Sequence, residues 1–156
     1  MTYDELLIEA DKLGVIVKEA TLRTVDGKCY GNRIAIESSL SECEKACVLA
    51  EELSHYKLTV GNISDQSNSD NRKQELLARK DCYEKLITPE CIIKAILSGT
   101  DNIYELSETL SVTESFLLDT IKHYRKKYGI YYVSKTHLLI FEPLSVIDFQ
   151  PICQAK

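Results

Sequence analysis

The sequence predicts an α+β protein: a small antiparallel sheet with helices around it, then a helical C-terminal region resembling a winged helix-turn-helix. Three observations carry this. Apolar residues recur at helical spacing in several long segments, short β-branched runs bounded by turn residues lie between the first two helices and again near the C-terminus, and no internal repeat is present. A chain of 156 residues with 44% apolar content can bury a core of its own as one domain, or as one domain with a small appendage.

The elements follow in order. Thr2-x-x-Glu5 is a capping box, and Tyr3, Leu6, Leu7, Ala10 and Leu13 share a helical face until Gly14 stops it. Val15–Val17, Thr21-Leu22, Cys29-Tyr30 and Ile34–Ile36 read as short strands, with Asp26-Gly27 as a turn. Ser41-x-x-Glu44 caps a second helix, whose Ala46, Cys47, Leu49, Ala50 and Leu53 form a wide apolar stripe.

The polar run Gly61–Asn71 is expected as a loop, with a third helix from about Arg72 to Ile87. Thr88-Pro89-Glu90 ends that helix and starts another, because proline fits a first turn and breaks an interior one. Ile92–Leu97, Ile103–Leu110 and a longer helix from Thr113 to about Tyr128 come next. The last presents Phe116, Leu117, Ile121 and Tyr124 on one face. Ile130–Val133 and Leu138–Phe141 flank Ser134-Lys135-Thr136 as a hairpin. These breaks divide the chain into a core over residues 1–89 and a helical region with its hairpin over 90–156.

The net charge of −5 argues against a general nucleic-acid or membrane surface. The acidic N-terminus does not resemble a secretory signal and no apolar run reaches membrane-spanning length, so a cytoplasmic protein is expected. Six cysteines without a CxxC pair fit reduced thiols, mostly packed as small core residues.

The chemistry concentrates in the second helix. In an HExxH helix, two ligands four residues apart face one ion and the glutamate beside the first acts as general base. The corresponding residues are Glu51, Glu52 and His55 in "LAEELSHYKLTVGN". Glu51 and His55 form the i, i+4 pair, and Glu52 stands where the base belongs. The third ligand must come from another element, and Glu75 is the candidate because it lies near the start of a helix that can return antiparallel. One imidazole with two carboxylates should bind Zn2+, the first choice of ion, more weakly than a two-histidine site does and should be more tolerant of Mn2+ or Fe2+.

These stretches resemble the ImmA/IrrE family of metallopeptidases, in its small form from prophages and mobile elements of Gram-positive bacteria. The resemblance runs through "GKCYGNRIAI", "CVLAEELSHYKLTVGN", "NRKQELLARKDCYEKLITPE" and "NIYELSETLSVTESFLLDTIKHYRKKYG". It implies a zincin-like core and a cytoplasmic zinc endopeptidase that cleaves a helix-turn-helix repressor and so derepresses the element's genes. Carried over by position, it makes His55 and Glu75 ligands and Glu52 the base. The chain departs from the family's usual pattern at Glu51, where histidine is customary, and at Ser54, where glycine is.

Other constellations weigh less. Glu52-x-x-His55 also matches half of a di-iron motif, but no second copy exists. Cys43 and Cys47 continue the four-residue steps of Glu51 and His55, and burial explains them better than ligation. His123 and His137 lack ligand-type neighbours in sequence, and Tyr56 reads as a core or cleft-wall aromatic. Lys122, Arg125, Lys126 and Lys127 form a local basic cluster that could meet a partner or DNA phosphates, or could simply complement a helix C-terminus. Over Glu90–Lys156, however, seven basic residues face eight acidic ones, so direct DNA binding is not favoured. The alternative to a peptidase is a non-proteolytic regulator, with a degenerate cleft, that binds a repressor or DNA through this C-terminal region.

Overall fold

A computed structural model describes residues 1–58 and 69–148. The chain divides into two compact units. One comprises Met1–Leu86 with Ser111–Thr113, and the other Ile87–Leu110 with the chain from Glu114 onward.

The first unit begins with α1 (Tyr3–Lys12). Its capping box is formed: the Glu5 N–H donates to Thr2 Oγ1 at 3.3 Å, and the Thr2 N–H to Glu5 Oε2 at 2.9 Å. Gly14, at φ +71°, turns the chain into β1 (Ile16–Ala20). Strands β2 (Gly27–Tyr30) and β3 (Arg33–Glu37) form a two-residue hairpin through Gly31-Asn32.

The sheet order is β1-β3-β2. It is mixed, antiparallel between β2 and β3 but parallel between β1 and β3, because the chain passes the far edge before returning through the hairpin into the centre. Thr21-Leu22, expected in a strand, lies outside any strand. The Leu22 N–H donates to the Glu37 carboxylate instead of to a ladder partner.

Helix α2 (Glu42–Leu58) starts on a second capping box, with the Glu44 N–H on Ser41 Oγ at 3.3 Å and the Ser41 N–H on Glu44 Oε2 at 2.8 Å. Helix α3 (Ser69–Leu86) begins three residues before the expected start, so part of the anticipated loop is helical. The rest of that loop, residues 61–68, lies outside the described residues, as does Cys153.

α1, the sheet and α3 each pack on α2. The core they share contains Leu6, Ala10, Ile34, Ile36, Leu49, Ala50, Leu53, Ala78 and Cys82, all essentially inaccessible to solvent. A single large-to-small change among the leucines costs about 2–5 kcal/mol.

The second unit contains α4 (Pro89–Leu97), capped by Thr88, then α5 (Ile103–Leu110) and α6 (Glu114–Tyr128). Its sheet has three strands, β4 (Tyr131–Val133), β5 (His137–Phe141) and β6 (Leu144–Asp148), antiparallel in that order. The expected hairpin is β4–β5. β6 adds a strand that the sequence reading did not include. The buried Tyr124 hydroxyl donates to the Ile87 carbonyl at 2.6 Å and ties α6 to the start of this unit. Among the described residues, no helix is long and apolar enough to cross a membrane.

Candidate metal centre

α2 buries Leu49, Ala50 and Leu53, and this fixes which residues its remaining faces present. Glu51 and His55, one turn apart, share the face toward α3, with His55 Nε2 4.0 Å from Glu51 Oε1. On α3, Glu75 lies on the same stripe as the buried Ala78 and Cys82, so the packing that seats those two also turns Glu75 toward α2. Its Oε2 is 3.5 Å from His55 Nε2.

The three donor atoms lie within 4.8 Å of one another. Tetrahedral ligands at zinc bond lengths stand about 3.3 Å apart, so this set fits one divalent cation after shifts of a few tenths of an ångström to about 1.5 Å. The structure thus brings together all three residues singled out as ligands in the sequence.

Electrostatics favour a cation there. Glu51, Glu52 and Glu75 are three carboxylates in one site, and the opposing charge comes from Arg79, whose Nε is 2.7 Å from Glu75 Oε1. That bond fixes one oxygen of Glu75 and leaves Oε2 facing the imidazole. Arg79 was not among the residues singled out from the sequence, although its i, i+4 spacing from Glu75 is a legible signal.

Glu52 faces the sheet edge. Burial, then the charge of Glu51, pushes its carboxyl up to about 7; Glu75 adds to the rise, and the backbone N–H of Cys29 on β2 opposes it. The approach of strand and helix is close. A Cβ on Gly27 would stand 2.4 Å from Val48 Cγ1 and 3.3 Å from Glu52 Oε1, so only glycine lets β2 lie against α2 here. Gly27 is expected in a turn from its local pattern, since nothing nearby in the chain reveals that a helix passes over it.

The remaining candidates are placed elsewhere. Cys47 is buried, and burial pushes its thiol up to about 11. His137, in the second unit, has Nε2 3.1 Å from Asp148 Oδ1, and the His123 ring leans on Tyr124. Of the basic cluster on α6, Lys122 pairs with Asp119 at 2.8 Å, Arg125 pairs with Glu142, and Lys127 lies over the Tyr128 ring.

Comparison with known proteins gives one family. The sequence profile of the IrrE N-terminal-like domain, a peptidase family, matches residues 10–122. No curated protein matches the chain.

Proposed function

The chain belongs to the IrrE N-terminal-like domain family of peptidases, and from that premise we propose that it is a zinc-dependent endopeptidase whose substrate is a helix-turn-helix repressor of the mobile element that carries it. The observation that carries the reading is the convergence of Glu51, His55 and Glu75 from two helices, with Glu52 beside them and free of that set.

Glu51, His55 and Glu75 would hold the ion. The ion would supply Lewis acidity toward a scissile carbonyl and make a neighbouring water more acidic. The chain's own residues do the rest. Burial pushes the Glu52 carboxyl up to about 7, which suits a group that takes a proton from water and passes it to the departing amine. The Cys29 N–H and the absence of a side chain at Gly27 hold that carboxyl at the edge of β2. Arg79 keeps Glu75 from swinging away.

Two carboxylates in the donor set make the site harder than a two-histidine site, so manganese or iron would be retained more readily against zinc. The paired charges on α6 support protein docking over phosphate binding for the second unit. The test is co-expression with the repressor encoded beside the gene, using the wild type and Glu52→Gln. Cleavage by the wild type alone is expected. Cleavage by both at equal rates removes Glu52 from its role, and cleavage by neither, with metal bound, favours the non-proteolytic regulator.

A further inference from the structure

Behind the candidate metal centre, hydrogen bonds and ion pairs link five polar side chains through three helices, and the backbone of α2 between Ser54 and Lys57 completes the ring. Ser54, which immediately precedes His55 and is fully buried, donates its hydroxyl to Asp81 Oδ2 at 2.8 Å. Asp81 lies 3.8 Å from Lys85 Nζ, and Lys85, itself almost inaccessible, lies 3.2 Å from Glu9 Oε1. The same Glu9 oxygen accepts from Lys57 Nζ, and Lys57 is back on α2, three residues beyond Ser54. The path runs from α2 to α3 to α1 and returns to α2. It contains two carboxylates and two ammonium groups, so its charges balance internally.

The place of this ring matters for Glu75. The buried apolar residues of α3 near the site are Ala78, Cys82 and Leu86. They turn Glu75 toward α2, but Ala78 and Cys82 are small and interlock over few atoms, so they fix rotation and slide less firmly than larger side chains would. A hydrogen bond from a buried hydroxyl is directional. A slide of one residue moves a helix by about 1.5 Å, as much as the largest shift the donor set needs to close on an ion, so an error in register doubles what the side chains must absorb.

We propose that the Ser54–Asp81–Lys85–Glu9–Lys57 ring is a positioning device, which fixes the rotation and register of α3 on α2 so that Glu75 meets His55. None of the five contacts the ion site in this role; they act through the helices. The inference rests on the reading of Glu51, His55 and Glu75 as ligands.

The test measures the zinc dissociation constant by competition with a chromophoric chelator, on full-length protein well below its melting temperature. The chains compared are the wild type, Ser54→Ala, Asp81→Ala and Asp81→Asn. Ser54→Ala removes one hydroxyl and leaves the packing volume nearly intact, so it serves as the variant that keeps its fold, checked by far-UV circular dichroism. Zinc affinity is expected to fall about 10- to 100-fold in Ser54→Ala and Asp81→Ala, the scale seen when outer partners of metal ligands are removed. Asp81→Asn still offers an oxygen to Ser54 and is expected to recover most of the loss. Folded Ser54→Ala with wild-type zinc affinity overturns the positioning role. A wild-type chain that binds no zinc instead overturns the ligand reading, and the ring's proposed task with it.

Discussion

At position 51 a carboxylate stands where an imidazole is customary, and the geometry around it remains that of a donor set. His55 Nε2 lies 4.0 Å from a Glu51 oxygen and 3.5 Å from a Glu75 oxygen. Replacing Glu75 or His55 by alanine is expected to abolish stoichiometric zinc retention, read by elemental analysis after gel filtration. Glu52→Gln should keep the metal and lose hydrolysis, because the amide cannot take the proton.

Gly27 provides a second test at this scale. In Gly27→Ala the new methyl would press on Val48, whose β-branched side chain has little rotamer freedom in a helix. The expected cost is about 1–3 kcal/mol in urea denaturation. The variant should also lose more activity than its stability predicts, since Glu52 rides on the same helix.

At the scale of elements, α1, α2 and α3 are held as one group by charge pairs as well as by their core. Burial alone raises the Glu9 carboxyl, but the hydrogen bond from Lys57 and the charge of Lys85 outweigh it and leave the group below the usual carboxylate range. Its folded value is thus lower than its unfolded one. The stability it contributes is present above the unfolded value, near 4.3, and is lost as pH falls through the folded value. Glu9→Gln is expected to cost about 1–3 kcal/mol at pH 7, because the buried Lys85 ammonium loses its closest partner. The gap between variant and wild type should narrow on acidification below about pH 4, followed by thermal melts across pH.

The helices themselves were legible in the sequence from their caps. Thr2, Ser41 and Thr88 each announce a start that the structure places there. Thr21-Leu22 was misread because a single side chain, Glu37, took the backbone donor that a strand would have used.

For the molecule as a whole, the acidic balance of −5 and the near-neutral C-terminal half leave little field to attract a polyanion. Lys122 and Arg125 are already paired within the second unit. The protein is therefore expected to leave double-stranded DNA unshifted in gel retardation at physiological salt. Any shift at low salt should vanish steeply as salt is added and should weaken in Lys126→Gln.

By itself the sequence determined the class of fold, the caps, the i, i+4 pair of Glu51 and His55, and the adjacent Glu52, since each depends on residues within a turn or two of helix. Even Glu75 could be named, because it lies near the start of a helix that the preceding loop lets return antiparallel. Only the tertiary structure decided that Glu75 Oε2 faces His55, that Gly27 makes room for Glu52, and that Ser54 reaches Asp81. Those contacts join residues from about 20 to 27 positions apart, and the packing of one helix on its neighbours, which no local pattern encodes, sets them.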